Sequence, residues 1–233
     1  PEWKSLGGLS TGEGLISAVR DPLKENKEID PGVVDKRLMV VEKELSRVLK
    51  VMKREHNTLS SVLRDAWDSG NLNILTKNDP AKATGAHISL MCHITKEELT
   101  SRLSDTDIFN GFANRFLWFC VRRSKFLPEG GSLEPKDLLD IQKRIREAFV
   151  FAREVGEIKK SESAKELWAE VYPELSNGRP GLLGAVTNRA EAQVMRISCI
   201  YALLDRSSVV EREHIIAALS LWDYSFRSCQ YIF

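Results

Sequence analysis

The sequence predicts an α/β protein in which a parallel sheet with helices on its faces is followed by an all-helical C-terminal part. Three observations predict it. Three short apolar runs of strand length, 37–41, 86–94 and 116–121, are separated by segments with helical periodicity. Residues 126–135 carry two prolines and two glycines, a punctuation that marks a boundary. Beyond that boundary every apolar pattern has the helical period. Strands separated by helices imply parallel pairing with both faces covered, and ligands of such sheets gather at the carboxyl ends of the strands. The expected division is 1–126 for the sheet-containing part and 127–233 for the helical part.

In chain order, GLSTGEGLISAVRD near the start reads as a turn entering a helix. Ser10 or Thr11 caps it, Glu13 lies in its first turn, and Leu15, Ile16 and Val19 face the sheet. RLMVV, at 37–41, is β-branched and apolar and suits a buried strand. Leu45, Val48, Leu49 and Met52 then fall on one helical face, and Leu59, Val62, Leu63 and Ala66 repeat the pattern. AHISLMCHI, at 86–94, is the second strand, and Thr95 with Glu98 forms a capping box that starts the next helix. FLWFCV, at 116–121, is the third. Further helices are expected over about 135–155, from a capping box at Ser163 and Glu166, over about 180–204 as one long element, and from near Glu211.

The bulk numbers restrict function more than they define it. The chain has 233 residues, 42% hydrophobic and 29% charged, which is enough to bury a full core. The net charge of +1 supplies no global field for nucleic acid, so any such contact must come from a local patch. Cys92, Cys120, Cys199 and Cys229 are widely spaced in apolar runs, as reduced buried thiols of a cytoplasmic protein would be. His87 and His93 flank an apolar run without further ligands at workable spacing, so no metal bound by side chains alone is expected. No apolar run approaches the roughly 20 residues that span a bilayer, and no membrane contact is expected.

Candidate chemistry collects at the strand ends. The strand ending in VVEKE delivers Glu42 and Glu44 to the carboxyl edge of the sheet, where acids hold Mg²⁺ through water or orient an attacking water. First-turn acids favoured by the helix dipole give the same pattern. His93 stands at the corresponding end of the next strand, as a phosphate sensor or as a histidine hydrogen-bonded locally. Arg115 precedes the third strand, as an arginine finger reaching a neighbouring subunit's nucleotide or as an arginine tied to a local carboxylate. GGLSTGEG, at 7–14, has the glycine skeleton of a phosphate loop, but Glu13 stands where a lysine belongs and would repel a phosphate.

Taken in order, RLMVVEKE, AHISLMCHIT, NGFANRFLWFCVRRS, RPGLLGAVTNRAEAQVMRI and EHIIAALSLWDY resemble the ATPase core of phage- and plasmid-type primase-helicase-like proteins. These are RecA/AAA+-like proteins that often carry a primase module upstream. The resemblance implies a partial RecA/AAA+-like parallel sheet followed by a helical lid-like domain. It makes 37–42 the Walker B strand, with Glu42 and Glu44 handling metal and water, although the usual Asp-Glu pair is here Glu-Lys-Glu. It makes His93 the first sensor, Arg115 the finger and Arg189 a second sensor arginine that contacts nucleotide. In the resembled family the lysine-bearing loop precedes the segment equivalent to GLSTGEG, so the chain is expected to start after it. ATP and Mg²⁺ then belong to the intact protein, which forms a homo-oligomeric ring, while this chain alone is expected to be inactive and to bind neither tightly.

The resemblance also bears on DNA. NLNILTKNDPAKATGAH, at 71–87, alternates around a turn at Asn78-Asp79-Pro80, and a hairpin ahead of a sensor strand is where related motors grip the DNA backbone. Lys77 and Lys82 are its leading contacts, with Arg122 and Arg123 as a second cluster; a solvated loop is the plainer alternative. The competing function is a non-catalytic DNA-binding or assembly module, a phage or plasmid remnant. A purely helical scaffold, built on Trp168, Tyr172, Trp222 and Tyr231, is the third class.

Overall fold

The computed structural model describes residues 5–25, 28–75 and 81–233. The chain divides into two compact units, one over 1–116 with residue 232 and one over 117–231 with residue 233. The division falls earlier than the Pro/Gly-rich stretch at 126–135 suggests, because residues 117–121 join the second unit.

The first unit is built on three parallel strands. β1 (Ser5–Leu6) and β7 (His87–Cys92) flank β4 (Arg37–Glu42), in the order β1-β4-β7. Register runs from Arg37 opposite His87 to Glu42 opposite Cys92. Strand alternation places Leu38, Val40 and Glu42 on one buried face of β4. Helix α1 (Gly12–Ser17) follows β1 and is capped by Thr11, whose hydroxyl accepts the Gly14 N–H. Leu15, Ile16 and Val19 are buried as their spacing requires. Helices α2 (Leu45–Met52) and α3 (Leu59–Asp68) bury Leu45, Val48, Leu49, Leu59 and Val62. At Gly12 a Cβ would lie 2.5 Å from the Thr58 hydroxyl and 2.6 Å from Val62, so only glycine lets α1 sit this close to α3.

Two antiparallel hairpins interrupt this frame. One, β2 (Leu23–Glu25) with β3 (Glu28–Asp30), has no counterpart in the sequence expectations. The other, β5 (Leu72–Ile74) with β6 (Ala81–Ala83), is the hairpin expected at 71–87. After β7 come α4 (Lys96–Arg102), capped by Thr95 as its T-x-x-E motif requires, α5 (Asp105–Phe109), and a single 3-10 turn at Ala113–Arg115.

The expected third strand is corrected. Among the described residues FLWFCV joins no sheet; residues 117–121 carry no regular secondary structure, and three of their backbone groups are served by a helix. The Trp118 and Cys120 N–H groups donate to the hydroxyls of Ser225 and Ser228, and the Tyr224 hydroxyl donates to the Cys120 carbonyl. Side chains thus supply the partners that a neighbouring strand would have supplied.

The second unit holds α6 (Pro135–Glu154), α7 (Glu162–Ser176), α8 (Gly181–Thr187), α9 (Ala190–Leu204) and α10 (Arg212–Ile232). Its core packs Ala164, Leu167, Ala202, Val210 and Ile215 together, with Val194, Ile197 and Ala218 as a second cluster. The single long helix expected over 180–204 is two, broken at Asn188 and Arg189, where the Arg189 backbone leaves the helical region at φ −132°. α7 is capped by Ser161, ahead of the expected box at Ser163. The unit is not wholly helical: β8 (Lys159–Lys160) pairs in parallel with β9 (Val209–Val210). No described helix is long and apolar enough to cross a membrane.

Candidate functional site

At the carboxyl edge of the sheet, Glu42 is 2% exposed, carried inward by the alternation of β4. A buried carboxylate needs hydrogen-bond donors, and the turn after β1 supplies two. The N–H groups of Gly8 and Leu9 both donate to Oε1 at 2.5 Å, and Arg47 donates to Oε2 at 3.2 Å. The positive φ of Gly8, 90°, is what turns two successive N–H groups toward one acceptor. The backbone N–H of His93 donates to the Glu42 carbonyl at 3.0 Å, and the Leu45 N–H donates to the His93 carbonyl at 2.9 Å. Glu42, Glu44 and His93 therefore share one edge. Glu44 and His93 are exposed there, and Glu44 occupies the cap position of α2 without a side-chain cap bond.

The Cys92 thiol lies on the neighbouring strand. Burial, with the Glu42 carboxylate adding to it, pushes that thiol up to about 12.

The described residues do not fit a Mg²⁺-nucleotide at Glu42 in this arrangement. Both of its oxygens are engaged by donors, and no cluster of three or more His, Cys, Asp or Glu side chains able to hold a metal occurs among the described residues. The GLSTGEG segment is committed as well. Its turn N–H groups face Glu42, and Glu13 accepts from the Thr58 hydroxyl at 3.2 Å.

Arg115 occupies a different environment from the exposed subunit edge that a trans-acting finger needs. Its side chain is 9% exposed; one terminal nitrogen meets Asp68 at 2.6 Å, the other the Gly111 carbonyl, and the guanidinium stands 5.6 Å from the Trp67 ring centroid. These contacts tie the 3-10 turn to the end of α3.

The amino edge carries both hairpins. The Asp21 carboxylate accepts from Lys36 Nζ at 2.8 Å and from the Thr84 N–H and hydroxyl at 3.0 and 2.7 Å. Lys36 Nζ also donates to the carbonyls of Val19 and Arg20. Burial alone would raise the Asp21 carboxyl, but the hydrogen bonds from Lys36 and Thr84 outweigh it and hold it at about 2. Asp30, at the end of β3, receives a bidentate Arg20 guanidinium at 2.8 and 2.9 Å. One node therefore roots β2–β3, β5–β6 and the residues that lead into β4. Lys82 is exposed on β6, whereas Lys77 lies outside the described residues.

In the second unit Arg122 and Arg123 are exposed on the segment after Val121, and Arg189 is half-buried at the cap of α9. A separate cavity of about 340 Å³ is lined by residues including Trp222, Phe226, Arg179 and Asn188. Sequence reasoning missed Gly8, Leu9 and Arg47 around Glu42, Asp68 at Arg115, and the Asp21 node. For the first hairpin the available signal was the bracketing of 23–30 by Pro22 and Pro31-Gly32.

No protein-family model matches this chain, and no curated protein does. Among solved structures, the chain is similar to a full-length MCM homologue from Methanopyrus kandleri, with a TM-score of 0.51 and 16% identity over 97% of this chain and 51% of that one. The chain thus spans about half the length of that structure. At this identity the likeness concerns the fold alone.

Proposed function

We propose that this chain is part of a helicase-type ATPase core that engages DNA through hairpins at one edge of its sheet and nucleotide at the other. The observation that carries this reading is the rooting of two hairpins on one ionic node at the amino ends of β4 and β7. The carboxyl ends of the same strands carry Glu42, Glu44 and His93. A fold in which the DNA-gripping and nucleotide-handling edges share two rigid strands can pass force between them.

The MCM likeness supports the motor class, and the tie to phage- and plasmid-type primase-helicases rests on the sequence resemblance. ATP and Mg²⁺ are cofactors of the complete site, which this reading extends to a homo-oligomeric ring with Arg189 facing nucleotide. Glu42 is assigned no step of its own, because its oxygens are already satisfied. Arg115 is read as a structural arginine.

A second reading, a non-catalytic DNA-binding or assembly module, is favoured by the sealing of Glu42. Steady-state turnover with Mg²⁺ and ATP, beside binding of a fluorescent single-stranded oligonucleotide at low salt, tests both. Expected are DNA binding and no measurable turnover. Absence of DNA binding at low salt overturns the motor reading and leaves of the second only an assembly module, and turnover that disappears in Glu42→Gln would reveal a phosphate site within this chain.

A further inference from the structure

α6 is half anchored. Its 20 residues make a rod of about 30 Å. In its second half Ala148 is buried and the helix packs on α9. Every residue of its first 12, 135–146, is exposed. That stretch is nevertheless not polar. Leu138, Ile141 and Ile145 are 38%, 53% and 56% exposed. They recur at alternating steps of three and four, the spacing that makes one continuous apolar seam on a helix. The same spacing continues to Ala148 and Ala152, where the seam is covered. Contiguous apolar surface of this kind on a soluble protein marks an interaction site.

Charge along the helix identifies the occupant. From 134 to 140 it carries Glu134, Asp137 and Asp140 with a single Lys136; from 143 to 146 it carries Lys143, Arg144 and Arg146 and no acid. The helix dipole accounts for acids at the start but not for three bases in the middle of a helix that continues to residue 154. At 100° per residue Asp137 and Arg144 are the charges that flank the seam, on the same side and a heptad apart, so a second copy laid antiparallel puts Asp137 against the other copy's Arg144, while a parallel copy puts like against like. We propose that the exposed half of α6 is the seam of a symmetric, antiparallel dimer of this chain. Leu138, Ile141 and Ile145 meet their counterparts across a two-fold axis, and the segregated charges set the direction. Each residue pairing then occurs twice, as an isologous interface requires. Such a seam is shorter than a standard interface, so the dimer is weak, with a dissociation constant of about 10–100 μM.

Sedimentation velocity of the whole chain from about 2 to 200 μM, a span bracketing that constant, tests this directly. The expected result is a concentration-dependent monomer–dimer equilibrium that Ile141→Lys shifts at least tenfold toward monomer. Ile141 is exposed, so this change leaves the fold intact, which circular dichroism verifies. Asp137→Lys should also break the dimer, and adding Arg144→Glu to the same chain should restore it. A chain that stays monomeric at the highest concentration, a dimer indifferent to Ile141→Lys, or charge reversal without rescue each overturns the proposal. None of these readouts involves nucleotide or DNA, so they stand apart from the motor reading.

Discussion

Two charged groups, Glu42 and Arg115, admit both a catalytic and a structural reading in sequence, and in space both are held by hydrogen bonds. The Arg115 guanidinium binds Asp68 and a backbone carbonyl beside Trp67. Truncating it removes a charge-assisted pair and leaves the Gly111 carbonyl without that donor. Arg115→Ala should therefore cost about 2–3 kcal/mol in urea unfolding; an unchanged midpoint would remove the structural assignment. Glu42 has an electrostatic signature as well. Its charge adds to the burial that raises the Cys92 thiol, so Glu42→Gln should lower that thiol while leaving it above an ordinary cysteine, burial being the larger cause. The check is the pH dependence of Cys92 alkylation in a chain whose other cysteines are serine. A several-fold faster reaction at fixed alkaline pH is expected, and an unchanged rate would mean that Glu42 is uncharged or too distant.

At the scale of elements, the Asp21 node decides whether the hairpins keep their common base. Its carboxyl is lowered from 3.8 to about 2. A lowered acid contributes stability that is fully present above the unfolded value and is lost as pH falls through the folded one. Between about pH 4 and pH 2 the node should weaken by on the order of 1–2 kcal/mol, discounted for the partial exposure of Asp21. Amide exchange at Thr84, whose N–H donates to Asp21, should accelerate over that window relative to the β4–β7 ladder, and Asp21→Asn should abolish the difference.

Elements with a repeating pattern were legible in sequence. β4 and β7 stand out because apolar runs bounded by turns have few other uses, and α1 and α4 because Thr11 and Thr95 announce their caps. FLWFCV was not, because an apolar run does not reveal whether a strand or the serines of a distant helix satisfy its backbone. The β2–β3 hairpin was hidden by its charged composition, LKENKEID. The break at Asn188 was hidden because apolar periodicity continues across it. At the candidate site the sequence located Glu42, Glu44 and His93 on one edge. It could not disclose that the glycine turn at Gly8 would fold back and seal Glu42, since that contact spans 34 positions.

For the whole molecule, a net charge of +1 means that the proposed DNA affinity cannot come from a diffuse field. It has to come from a few exposed cations, and each phosphate neutralised contributes about −0.7 for single strands, or −0.9 for duplex, to the slope of log K against log salt. With two or three phosphates engaged, the slope should lie between about −1.5 and −3, and binding should be poor at physiological salt unless an assembly multiplies the contacts. Lys82→Ala should flatten the slope by about 0.7–0.9 without changing sequence preference, since phosphate contacts carry none. Lys82 is exposed on a two-stranded ribbon, so its removal should leave the melting temperature where it was. An unchanged slope would move the contact away from the β5–β6 hairpin and toward Arg122 and Arg123, whose double alanine variant should then flatten it by twice that amount.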